Sequence, residues 1–204
     1  MSIINKEHLS SADIAKKKGL KKAAVTIICE ELIKRGIIYE KKCSTSSVGR
    51  TPYHLFLNGD SVYFMGIDIS RSNITVGICD LRGSIISEEC FPVCNPEAAL
   101  EKIKKSIELQ LKDNNIEKDK IYKAGISTPG PVLSEEGRIL NPPNFSLWHN
   151  YPIAEKLKEI INVEIVFDNI SKAAAVCEKY FGAASDFENF ICIVVDEGIG
   201  AGVF

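Results

Sequence analysis

Apolar residues recur at helical spacing near the start of the chain and at alternating spacing soon afterwards, and this change of period divides the sequence. Ser10-Ser11-Ala12-Asp13 offers a capping residue before Ile14-Ala15, and Gly19 stops the short helix that follows. Lys21 to Arg35 then carries Val25, Ile28, Leu32 and Ile33 at helical spacing, so Val25, Ile28 and Leu32 are expected to face the neighbouring helices, and Gly36 ends the segment. Two short helices joined at a glycine predict a helix-turn-helix. Residues 36–40 and 53–57 read as two strands, and the polar stretch between them, basic at both ends, reads as a hairpin wing.

Asn58-Gly59-Asp60 marks the expected boundary, giving a winged helix-turn-helix over 1–60 and a second domain over 61–204. Three consecutive strands follow at 62–69, 73–80 and 84–91, with Leu81-Arg82-Gly83 as a tight turn. The pattern then alternates: helix 96–112, strand 122–127, helix 153–160, strand 164–167, helix 171–181 and strand 189–195. Three strands followed by alternating strands and helices predict an α/β half-domain of the ribonuclease-H-like, actin and sugar-kinase-like kind.

Composition narrows the function classes. At 204 residues, 45% hydrophobic and 25% charged, the chain is neither disordered nor fibrous. Without an apolar run of membrane-spanning length or a signal-peptide core near Met1, the expected location is cytoplasmic, with no membrane partner. The seven cysteines are scattered without a Cys-x-x-Cys pair and there are three histidines, so reduced thiols and no metal site are expected. The formal charge of −2 hides an asymmetry: residues 1–57 hold 11 Lys/Arg against 5 Asp/Glu, and residues 58–204 hold 14 against 22. The first segment therefore suits a polyanion.

A recognition helix puts its first turns in the major groove, where polar side chains reach base edges and cations reach phosphates. Lys21, Lys22 and Thr26 are the polar residues of those turns. A pair of lysines alone is also what a solvated helix start looks like; the basic wing and the local charge favour double-stranded DNA. Arg50, between Gly49 and Thr51, could enter a minor groove or be an ordinary exposed loop arginine.

The stretch from Gly19 to Ile38 resembles the winged-helix segment of ROK-family repressors, of the xylose and N-acetylglucosamine repressor type. The resemblance continues through Gly66-Ile67-Asp68-Ile69, the segments 125–132 and 141–148, Ala173 to Gly182, and Gly198-Ile199-Gly200-Ala201-Gly202, in the family's order. It implies a sugar-responsive transcriptional repressor; the alternative is an ATP-dependent sugar kinase of the same family. The family's kinases use an aspartate to accept the sugar hydroxyl's proton while glycine-rich turns hold the phosphates. Aligned on Ala173-Ala174-Ala175 and Glu178, the aspartate's position is Ile170, which has no basic atom. Asp168 could substitute only if the backbone shifted, and reads better as a strand end or a helix cap.

The first phosphate turn, Asp-x-Gly-Gly-Thr in the kinases, is Asp68-Ile69-Ser70-Arg71-Ser72, and the second is preceded by Asp196-Glu197, two carboxylates that repel a triphosphate. The resemblance therefore implies a sensor without catalysis and without a nucleotide cofactor. Gly130, Asn144 and Asn169 match regions that border the sugar; amides suit hydroxyls because they both donate and accept. The same residues serve equally as turn and cap formers. Partners implied are operator DNA, a sugar or sugar-phosphate effector and a second copy in a homodimer. The family pattern runs on past Phe204, through a zinc-binding stretch and sugar-holding glutamates, and usually includes a further helix before Ser11, so the chain is expected to be a piece of a longer repressor.

Overall fold

The computed structural model describes residues 9–42 and 53–204; Arg50 and most of the expected wing lie outside the described residues. Two compact units are formed, one from the residues up to Val62 with Asp80–Arg82, the other from Tyr63–Cys79 with Gly83–Phe204.

In the first unit, helix α1 (Ser11–Lys18) starts at a reciprocal capping box. The Asp13 amide donates to Ser10 Oγ at 3.3 Å, and Asp13 Oδ2 accepts from the Ser10 amide at 3.0 Å. Ser10 Oγ also donates to Asp13 Oδ2 at 2.5 Å, and this bond first, then the one from the Ser10 amide, holds the Asp13 carboxyl below its ordinary value. Gly19 ends the helix at φ 65°, a left-handed conformation that costs glycine nothing. Helix α2 (Lys22–Lys34) follows, and Gly36, at φ 69°, turns the chain into strand β1 (Ile38–Lys42), which pairs antiparallel with β2 (Tyr53–Leu57).

The core of this unit is Ala15, Val25, Cys29, Ile38 and Leu55, flanked by Ile14, Leu32, Ile37 and Leu57. Ile28, expected inside, is instead 54% exposed. At ~100° per residue Val25, Leu32 and Cys29 cluster within one narrow sector, whereas Ile28 falls on its flank. The small thiol takes the inner place.

The second unit is an α/β layer structure around a five-stranded sheet in the order β5-β4-β3-β6-β9. The strands are β3 (Tyr63–Ile69), β4 (Asn73–Asp80), β5 (Ile85–Pro92), β6 (Ile121–Thr128) and β9 (Glu164–Asn169). Strands β3, β6 and β9 run parallel, with Asp68, Ser127 and Asp168 in one cross-strand row. Alternation decides the faces: Met65, Ile67, Ile69, Ile74, Val76, Ile78, Ala124 and Ile126 join one buried cluster.

Two helices contribute to that cluster. Helix α3 (Pro96–Asp113) begins with Asn95 accepting from the Ala98 amide and brings Ala99, Ile103 and Ile107; helix α4 (Ile153–Ile161) brings Ile153, Leu157 and Ile161. Gln110, buried on α3, donates to the Val76 carbonyl and to Ser106 Oγ and accepts from Ser87 Oγ, which satisfies its amide.

The short strands β7 (Val132–Leu133) and β8 (Arg138–Ile139) form a small hairpin. Helix α5 (Ile170–Phe181) follows β9 directly and packs against a last antiparallel pair, β10 (Ile191–Val195) and β11 (Ile199–Val203). Strand β11 lies in a stretch that the sequence presents only as a glycine-rich turn. No helix among the described residues is long and apolar enough to cross a membrane.

Candidate functional site

The turns that follow parallel strands β3 and β6, and the junction of β9 with α5, meet the β10–β11 turn at an open cavity of about 330 Å³. Crevices at the carboxyl ends of parallel strands are where open α/β sheets bind ligands. Ser70, Arg71, Gly130, Asn169, Asp196 and Gly198 are among its lining residues.

The β3–β4 turn is tied by its own serine. Ser70 Oγ donates to the Asn73 carbonyl at 2.9 Å and accepts from the Asn73 amide at 3.0 Å. This leaves Arg71 projecting from the turn, and its Nε donates to the Pro143 carbonyl at 2.9 Å. The guanidinium lies along Gly198: a Cβ built there would sit 3.3 Å from Arg71 Nη1.

At the β9–α5 junction, Asn169 is the N-cap of α5, its Oδ1 accepting from the Ser171 amide at 2.7 Å. Its Nδ2 lies against Gly130, where a Cβ would approach to 2.3 Å. Ile170 opens the helix. Asp168 belongs to the end of β9, and the cap falls one residue later, on Asn169. Its Oδ1 accepts from Ser134 Oγ at 3.1 Å and the Asn169 amide at 2.8 Å, and pairs with Lys172 at 3.3 Å. In the same row Ser127 Oγ donates to Asp68 Oδ1 at 2.5 Å. Burial pushes the Asp68 carboxyl above its ordinary value; the Ser127 bond opposes this and the Asp196 carboxylate adds to it.

Gly130 and Asn169 are thus brought together, while Asn144 is exposed at φ 57°, in a turn outside the cavity lining. In the first unit Lys21 is the N-cap of α2 and Lys22 its first residue, both exposed. Thr26 Oγ1 donates to the Lys22 carbonyl at 3.0 Å, so its hydroxyl proton is used by the helix. The residue that sequence reasoning undervalues is Arg71. Its partner carbonyl is 72 positions away, and no local pattern announces that pairing.

A larger opening of about 670 Å³ runs along the sheet face opposite the buried cluster, where Gly66, Gly77 and Gly125 leave the backbone bare. Its lining is mainly apolar, with Asp68, Asp168 and Lys172 at the end nearest the strand termini.

The sequence profile described as ROK family matches residues 64–204. The chain is 31% identical to the xylose repressor of Caldicellulosiruptor bescii over 99% of its own length and 51% of the relative's. Among solved structures, a ROK family transcriptional regulator, described as a homolog of the E. coli MLC protein, superposes with a TM-score of 0.77 at 25% identity, covering 98% of this chain and 51% of that one. A ROK family glucokinase from Streptomyces griseus, in complex with glucose and AMPPNP, superposes with a TM-score of 0.61 at 25% identity, over 69% of this chain and 44% of that one. The chain spans about half the length of the curated relatives it matches. With a profile match over residues 64–204 and superposition on ROK-family structures, this chain belongs to the ROK family.

Proposed function

We propose that the chain is the DNA-binding and first sensor portion of a sugar-responsive transcriptional repressor, with a winged helix-turn-helix over 1–60 and a catalytically inactive ribonuclease-H-like, sugar-kinase-like half over 61–204. The observation that carries this reading is the extent of similarity. The regulators match across both units, whereas the glucokinase matches only about the length of the second. The first 57 residues are also the basic part of an otherwise acidic chain.

In this reading Lys21 and Lys22 reach phosphates or base edges from the start of α2, Thr26 adds a hydroxyl acceptor, and Arg50 reaches DNA from the wing. Gly130, Asn169 and Asn144 belong to the sugar side. The partners are double-stranded operator DNA, a sugar or sugar-phosphate effector and a second copy, in the cytoplasm. Catalysis is absent because Ile170 opens α5 where the kinases keep their base, and the nearest carboxylate, Asp168, is already engaged by Ser134, the Asn169 amide and Lys172.

The test is fluorescence anisotropy with duplex DNA from upstream of the chain's own gene, titrated over a range of salt. Binding is expected to weaken steeply with salt, and the slope to fall by about 1 for each phosphate contact removed by Lys21→Ala or Lys22→Ala. Binding that is absent, or insensitive to salt, contradicts the reading. The kinase alternative, supported by the shared sheet architecture, predicts sugar-dependent ADP release that Asp168→Asn abolishes; the repressor reading predicts none.

A further inference from the structure

The cavity at the strand ends has one feature that a pocket for a neutral sugar does not need. Arg71 presents a guanidinium whose orientation is fixed from behind, because Nε is held by the Pro143 carbonyl at 2.9 Å. Neither terminal nitrogen donates to another described residue, and Nη1 lies along the bare backbone of Gly198. A side chain on Gly198 would crowd it at 3.3 Å, so the glycine keeps this approach open. On this partly buried residue, a guanidinium with its side bond satisfied and both ends free of described partners is set up for two parallel hydrogen bonds to one anionic group.

The rest of the lining sets limits on that anion. Asp196 faces the same cavity, and its carboxylate also raises the nearby Asp68 carboxyl. Glu197 follows it in the turn. One cation sharing the cavity with the Asp196 carboxylate, with Glu197 next in the turn, is poorly matched to a triphosphate. It is well matched to a ligand with a single anion at one end and hydroxyls at the other, because a carboxylate accepts from hydroxyl donors. At about 330 Å³ the cavity lies at the lower end of the ~300–1,000 Å³ range of small-molecule sites, a size for one sugar ring and not for a nucleotide. Asn169 Nδ2, against Gly130 on the same wall, adds an amide donor.

The geometry points to Arg71 as the anion-reading residue of this cavity, with a monosaccharide bearing a phosphate or a carboxylate group as its ligand. This deepens the sensor reading above and rests on it for the sugar ring, while the anion preference rests on Arg71 itself.

The experiment is isothermal titration calorimetry of the full chain with matched probes: glucose, glucose 6-phosphate and glucuronate, then N-acetylglucosamine and its 6-phosphate. The anionic member of a set is expected to bind at least about ten-fold more tightly than the neutral one, the worth of hydrogen bonds to a charged group. Glucose 6-phosphate against glucuronate tells which anion is preferred. Arg71→Ala should bring the two classes to equal affinity, and Arg71→Lys should keep part of the difference with a single donor. Thermal melts of both variants report whether loss of the Pro143 bond unfolds the turn, and Arg71→Lys carries the comparison if the alanine variant melts early. Equal affinity for neutral and anionic probes, a preference that survives Arg71→Ala, or no binding of any anionic probe overturns the inference. Release of operator DNA by a neutral sugar alone overturns it while the repressor reading stands. Arg71-dependent binding of a sugar phosphate by a chain that ignores DNA does the reverse.

Discussion

Asp68 occupies the middle of the sheet's carboxyl edge, next to Ser127, where one hydroxyl bond does not offset the loss of water around it. Its carboxyl in the folded chain is raised above the ordinary 3.8. For an acid so shifted, the native state holds its proton more tightly than the unfolded state, so the contribution to stability is greatest below pH 3.8 and is lost as pH rises through the folded value. Asp68→Asn keeps an acceptor for Ser127 and removes the charge. Its urea midpoint is expected to exceed that of the native chain at pH 7, with the advantage shrinking below pH 3.8, where the aspartate is already neutral. An asparagine variant no more stable at pH 7 would mean that the charge is not the costly element. Asn169 is a second residue whose packing and capping are separable. Asn169→Ala removes the α5 cap at a cost of about 1 kcal/mol. Gly130→Ala drives a Cβ to 2.3 Å from Asn169 Nδ2, so it should cost more in the native background than in Asn169→Ala. A double-mutant cycle by urea unfolding measures the difference, and strict additivity would rule the contact out.

Elements differ in how far their own residues specify them. Strands β3, β4 and β6 are legible because one face alternates into a single core, and α3 is legible from Asn95, Pro96 and its apolar stripe. Strand β11 is not, since Ile199-Gly200-Ala201-Gly202-Val203 has glycines where a strand usually has side chains. Their reason is tertiary: a Cβ on Gly200 would meet Ser171 Oγ at 2.0 Å, and one on Gly202 would meet the Ser171 carbonyl oxygen at 2.1 Å. Likewise the α2 pattern identifies a helix but not whether Ile28 or Cys29 turns inward, and the β3–β4 turn reads as degraded until Pro143 is folded against Arg71. Gly202→Ala therefore strikes backbone that cannot move as a rotamer does, and a loss of about 1–3 kcal/mol is expected. Hydrogen exchange should show β10 and β11 amides losing protection while β3 and β6 keep theirs. Gly66→Ala and Gly125→Ala, with nothing within 4 Å of the added carbon, should change stability by no more than about 0.5 kcal/mol. Equal damage at all three positions would contradict the close-approach account.

At the scale of the molecule, the charge asymmetry between the first 57 residues and the rest is visible in sequence, whereas the distribution of apolar surface is visible only after folding. The β10–β11 pair turns Cys192, Val194, Gly200 and Gly202 toward α5, and by the period of two this sends Ile191, Ile193, Val195, Ile199 and Val203 to the other side. Those five side chains are 66–83% exposed, and the pairing sets Ile191 beside Val203 and Val195 beside Ile199. A contiguous branched-aliphatic face of this kind is uncommon on a soluble chain and is strongly favoured to bury itself. The 204-residue chain should therefore self-associate with rising concentration in sedimentation velocity and bind a hydrophobic dye in its native state. Ile193→Asp with Ile199→Asp puts two charges on the face without touching the side packed on α5, so folding should persist by circular dichroism while association and dye binding fall together. Association through the proposed DNA-binding unit would be indifferent to those two substitutions. An unchanged sedimentation profile would thus move the contact away from this hairpin, and a fall in both readouts would locate it there.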